Sequence, residues 1–150
     1  MLTPEPGFVN ISAPGFHHHA LDHYQARCGF NRPDGWFSPL PYFLLCRAIE
    51  LELKSRHLEE KRQPEVRDAF WHSMLDAYRA LPADQQILSP EELTVLEQAD
   101  KIYRKKGFEY VHPYNYGTGF TRFPDLDALD AVARKLLGLE PPIGGDLDVR

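Results

Sequence analysis

Three sets of residues have types and spacings that could do chemistry. Glu50 and Lys54 stand four apart in PLPYFLLCRAIELELKSRHL (39–58), a stretch apolar on nearly every face. A helix of that composition is buried, and a charge buried with it must be paired or it costs several kcal/mol. At i, i+4 with the acid toward the N-terminus, the two side chains can meet. The pair reads either as a structural ion pair or as the lining of a cleft or dimer interface. The second set is Arg67-Asp68-Ala69-Phe70-Trp71-His72. A neutral imidazole can take the proton of a ribose 2′-hydroxyl, and a guanidinium can hold the phosphate as charge grows, so Arg67 and His72 have the types needed for RNA cleavage without a metal. On one continuous helix they would point about 140° apart. Convergence would then need two protomers face to face; otherwise Arg67 is a solvated first-turn residue and His72 a half-buried one. The third set is His17-His18-His19 with His23. His19 and His23 share a helical face as in zinc-binding helices, with Asp22, His57 or His112 as a third ligand. No acid sits between them in an HExxH arrangement, and adventitious metal is the favoured reading, so neither a physiological metal nor a cofactor is expected.

A fourth segment, 108–123, reads FEYVHPYNYGTGFTRF. Its aromatics, Tyr110 among them, are flanked by Lys105, Lys106, His112 and Arg122. Such a mixture can stack on single-stranded RNA, but more often it caps a core. The basic run from Lys54 to Arg62 is broken by Glu59 and Glu60, which suits a solvated helix end. There is no glycine-rich phosphate loop, nucleophile elbow or Cys/His zinc framework.

The elements that must position these groups are helical. The 150 residues suffice for one domain with its own core. The net charge of −5 provides no global basic field, so nucleic acid would need a local patch. Cys28 and Cys46, in no metal-like spacing, and the lack of a leader segment point to a reducing cytoplasm. No apolar run reaches the roughly 18 residues of a membrane span. Residues 1–15, rich in Pro and Gly, read as an extended arm, residues 16–138 as the domain, and residues 139–150 as a mobile tail.

Within the domain, apolar spacing predicts a short helix from Phe16 to Arg27, with Phe16, Ala20, Tyr24 and Ala26 inward. The central helix starts at an N-cap Ser38 with Pro39 in its first turn. A third helix is expected over Glu65–Leu81, where Val66, Ala69, Phe70, Met74, Ala77, Tyr78 and Leu81 form a stripe. Ser89-Pro90-Glu91-Glu92 is a capping box opening a fourth that buries Leu93, Leu96, Ala99, Ile102 and Tyr103. Asp125 caps a last helix through Leu137, stopped by Gly138. The expectation is an all-α, up-and-down bundle of four main helices plus a short N-terminal one, with an aromatic extended loop before the last.

Leu40-Pro41-Tyr42-Phe43-Leu44-Leu45 and Ala48-Ile49-Glu50-Leu51-Glu52-Leu53-Lys54 resemble the "A-hydrophobic-E-L-x-L-K" helix of the HEPN superfamily, small bacterial helical proteins. His72-Ser73-Met74-Leu75 is similar to the "G-H-D-L" opening of that family's next helix, with Trp71 where the family often has Gly and Ser73 where it has Asp. Lys106-Gly107-Phe108-Glu109-Tyr110 resembles its "x-x-F-R-Y" stretch. The likeness spans about Ser38 to Leu137. It implies an accessory domain acting as a homodimer through RNA or protein contact, with a nucleotidyltransferase as a candidate partner in a toxin–antitoxin pair. The family's ribonucleases carry Arg, a polar residue, then His; Arg67, Asp68 and His72 match that formula. A small-molecule or nucleotide pocket lined by Glu50, Lys54 and His72 is a further alternative.

Overall fold

The central stretch forms α2 (Leu40–His57), and it is buried on nearly every side because it packs against helices all around it. In the computed structural model, which describes residues 12–31, 37–104 and 123–139, the chain is an all-α bundle with no strand among the described residues. The other helices are α1 (Ala13–Gly29), α3 (Gln63–Phe70), α4 (Met74–Arg79), α5 (Pro90–Arg104) and α6 (Leu126–Leu137), with a 3₁₀ turn at Ala83–Gln85. α1, α4, α5 and α6 all pack on α2. Leu45, Ile49 and Leu53 of α2 meet Met74, Leu96, Leu129 and Leu136 in the main core. A smaller apolar cluster, Ala20, Leu51 and Leu137, lies under α1. No described helix is long and apolar enough to cross a membrane.

Two helix starts follow the expected capping chemistry. Ser89 Oγ accepts from Glu92 N (3.2 Å) while the Glu92 carboxylate accepts from Ser89 N (2.8 Å), the reciprocal capping box. Asp125 accepts from Ala128 N at 2.9 Å, and Gly138 closes α6 at φ 73°, a conformation that glycine adopts without strain. At α2 the expected cap shifts by one residue: Pro39, not Ser38, is the N-cap, its carbonyl taking the first helical bond from Phe43, while Ser38 Oγ accepts from Leu40 N at 3.2 Å from outside the helix.

Two further expectations change. α1 begins at Ala13, not Phe16, because Ser12 caps it (Gly15 N to Ser12 Oγ, 3.4 Å) and Pro14 fits its first turn. Ala20 is buried there, whereas Ala26 is exposed. The helix expected over Glu65–Leu81 is two helices. Trp71 takes φ 50°, ψ −112°, its N–H closing α3 on the Arg67 carbonyl, and Ser73 caps α4 by accepting from Asp76 N at 3.1 Å. The buried Asp100 carboxylate reaches across from α5 to accept from Met74 N (2.8 Å) and the Ser73 hydroxyl (3.2 Å). A local cap and a long-range acceptor thus outcompete a continuous helix. The stripe still delivers Val66, Phe70, Met74, Ala77, Tyr78 and Leu81 to the core; only Ala69 turns outward. Of the aromatic segment, Phe123 packs edge-on against Tyr42 (5.1 Å) and Phe37 (5.2 Å). Residues 105–122, and the arm and tail ends before 12 and after 139, lie outside the described residues.

Candidate functional site

Glu50 sits in the middle of α2 with 1% of its surface exposed, and four side chains converge on it. Oε1 accepts from Arg47 Nη1 at 2.9 Å and from the Tyr103 hydroxyl at 2.5 Å. Oε2 accepts from Lys54 Nζ at 2.8 Å and faces His72 Nδ1 at 3.0 Å. Arg47 and Lys54 reach it because they lie at i−3 and i+4 on the same helix face; Tyr103 comes from α5 and His72 from the α3–α4 break.

Burial alone would raise the Glu50 pKa. The Lys54 charge, with hydrogen bonds from Lys54 and Tyr103 and the Arg47 charge, outweighs it and lowers the group to about 2. Glu50 is therefore ionised, with acceptors only, and Tyr103, raised by burial and by the Glu50 charge, stays a protonated donor. The His72 tautomer follows. Its Nδ1 must carry the proton given to Glu50, so in the neutral ring Nε2 holds the lone pair. The His72 side chain is 42% exposed and that of Arg47 36%, so the centre opens from a dry carboxylate to a wet imidazole and guanidinium. With one acid against Arg47 and Lys54, it carries a net positive charge while His72 is neutral.

Lys54 also donates to the Trp71 carbonyl. It thereby ties the carboxylate to the one positive-φ non-glycine residue among those described. Positive φ in a bulky residue is strained and persists only where surrounding contacts impose it. Here the contacts are Lys54 on the Trp71 carbonyl, the Arg67 carbonyl on its N–H, and the Ser73–Asp100 cap that follows. The result presents the Trp71 ring, 64% exposed, 5.0 Å from that of His72.

Of the residues singled out from sequence, Glu50, Lys54 and His72 are brought together. Arg67 and Asp68 are not: Arg67 Nε pairs with Asp68 Oδ1 at 3.2 Å on the exposed face of α3, with no contact to His72 among the described residues. Tyr110 lies outside the described residues. The sequence pattern does not single out Arg47 or Tyr103. Arg47 was legible as the i−3 neighbour of Glu50; Tyr103 read only as core, although a buried hydroxyl needs a partner.

A second imidazole–carboxylate pair uses the opposite side of α2. His17 Nδ1 lies 2.5 Å from Glu52 Oε1, and Arg56 Nε 3.5 Å from Oε2. They line a cleft of about 530 Å³ beside the start of α1. His23 Nδ1 faces the His19 carbonyl at 2.8 Å, and His57 Nε2 donates to the Ala77 carbonyl at 2.8 Å. No group of three His, Cys, Asp or Glu among the described residues could hold a metal ion. Comparison of the chain with protein-family models, with curated proteins and with solved structures finds no match.

Proposed function

We propose that this domain is a HEPN-like, RNA-contacting protein that cleaves phosphodiester bonds at the Glu50–His72–Arg47 centre without a metal. The observation that carries the proposal is the Glu50 Oε2–His72 Nδ1 contact, which fixes the imidazole as a base at Nε2. In the step, Nε2 takes the 2′-hydroxyl proton and the 2′-oxygen attacks the adjacent phosphorus. The 5′-oxygen leaves with a proton from solvent, and a 2′,3′-cyclic phosphate forms. Arg47, half in water and anchored on Glu50, holds the phosphate as charge builds, the role the sequence pattern assigned to Arg67. All these groups come from one protomer, so a dimer is not required to assemble them.

The family resemblance has physical support in the same turn. In "G-H-D-L", a glycine suits positive φ and an aspartate suits an N-cap. Trp71 takes positive φ and Ser73 is the N-cap, with His72 between them. The test is cleavage of labelled single-stranded RNA in EDTA by wild type, His72→Ala and Arg47→Ala, with circular dichroism on each. Activity that vanishes in folded His72→Ala supports the proposal. RNA left intact by wild type, or cut equally by both, removes His72 as a catalyst.

A further inference from the structure

An exposed aromatic ring lies beside the Glu50 centre and outside both apolar clusters. Trp71 is 64% exposed, and its ring centroid lies 5.0 Å from that of His72, the two planes inclined at 63°. The imidazole therefore does not lie flat over the indole. Phe37, as exposed at 65%, differs, because its ring packs against Tyr42 and Phe123. The backbone sharpens the contrast. Trp71 stands at φ 50°, held there in part by Lys54 of the Glu50 centre, where a glycine would make the same turn without strain. Strain at a bulky side chain that fills no core position points to a use for the ring outside the chain.

The neighbouring charge says which partner fits. The chain as a whole carries −5, but beside the ring Arg47 and Lys54 face the single acid Glu50, a local surplus of one positive charge while His72 is neutral. Arg67 and Asp68, a turn earlier, cancel each other. A flat π surface next to a cationic, water-accessible centre suits a base with its phosphate: the base stacks and the phosphate meets Arg47. An apolar protein anchor would gain nothing from that charge. The reach agrees as well. A base stands one sugar away from its own 2′-hydroxyl, a span comparable with the 5.0 Å between the two rings, so a ribose at His72 Nε2 carries its base to the indole.

We propose that Trp71 sets the base specificity of this centre: its indole stacks on the base of the nucleotide whose 2′-hydroxyl meets His72, and it favours an unpaired purine there. The inference rests on the proposed RNA contact at the Glu50 centre and adds the base it selects. A purine overlaps a bicyclic indole more fully than a pyrimidine does, and stacking strength sets such preferences. A base held on the indole has left its own helix, so a paired strand is a poor ligand.

The test separates binding from cleavage by using short oligomers of deoxyadenylate and deoxycytidylate, which lack the attacking hydroxyl. Affinities are read by calorimetry on the whole chain, and stacking by fluorescence in Trp36→Phe, which leaves Trp71 the single tryptophan. The deoxyadenylate oligomer should quench Trp71 and bind about tenfold more tightly than the deoxycytidylate one. Trp71→Ala should lose about tenfold for deoxyadenylate and level the two, while Trp71→Phe keeps part of the preference. Trp71→Gly, unstrained at this φ, stands in should Trp71→Ala fail to fold. No binding, equal binding of the two oligomers by wild type, or a preference that survives in folded Trp71→Gly overturns the assignment. So does a dimer that dissociates in Trp71→Ala with oligomer binding unchanged, which makes the ring a protein contact. A Trp71-dependent preference in a protein that leaves RNA intact upholds the stacking and removes only the catalysis. Cleavage that is lost in His72→Ala but is blind to the base and to Trp71 does the reverse.

Discussion

At the scale of single residues, the decisive group is Glu50, because its charge is held in the core by donors from three parts of the chain. Glu50→Gln leaves Lys54 and Arg47 short of their counter-charge in a buried place, and a loss of about 3 kcal/mol in urea unfolding is expected. Lys54→Met should cost less, since Arg47, Tyr103 and His72 still face the carboxylate. His72 is half exposed, so His72→Ala should cost no more than about 1 kcal/mol while reducing RNA cleavage by at least about 10²-fold. The two arginines separate on the same assay: Arg47→Ala should lose activity on the order of 10²-fold, and Arg67→Ala should stay within roughly twofold of wild type. Equal losses in both would return Arg67 to the site. Glu50 and Lys54 were legible as a pair because both sit on one helix. Arg67 and His72 do not meet within one chain, because the helix breaks between them at Trp71 and Arg67 pairs with Asp68 on the exposed face of α3.

At the scale of elements, the break at Trp71 is the feature that apolar spacing hid. The apolar stripe from Val66 to Leu81 continues through it, because Phe70 and Met74 both enter the core on either side of the turn. Positive φ at Trp71 makes a direct prediction. In a continuous helix, Trp71→Ala would be more stable than Trp71→Gly by about 1 kcal/mol. At φ 50° the order reverses, with glycine the more stable by about 1 kcal/mol, a difference of roughly 2–4 °C in Tm. Thermal unfolding of the two variants side by side decides between a break and a continuous helix. The caps show the opposite case. Ser89, Glu92, Asp125 and Gly138 were legible because each acts on backbone groups within three or four residues of itself.

At the scale of the whole molecule, charge buried in the bundle makes stability depend on pH. The folded pKa of Glu50, about 2, lies below its ordinary 4.5. Its contribution is therefore fully present above 4.5 and is lost as pH falls from 4.5 toward 2, on the order of 3 kcal/mol. His57 acts in the same sense from a higher pH. Burial lowers its pKa below the usual 6.5, with the Ala77 carbonyl opposing, so the buried neutral ring favours folding above 6.5 and that contribution falls as pH drops below it. Urea unfolding from pH 7 to pH 2 should show both phases, with the lower one absent in Glu50→Gln; its persistence there would assign it to other carboxylates.

What this sequence determines by itself is the set of local agreements. Apolar spacing makes helices, Ser, Asp and Gly bound them, and a mid-helix acid and base on an apolar stretch declare a buried pair. These are short-range effects, fully specified by neighbours three or four residues apart. The fold class followed from them, and so did most of the core. The tertiary structure alone decided which groups meet Glu50. Tyr103 arrives from 53 residues away and His72 from 22, and Asp100 from α5 sets the cap that turns the chain at Trp71. Such contacts depend on how helices pack, and no interval along the chain encodes that.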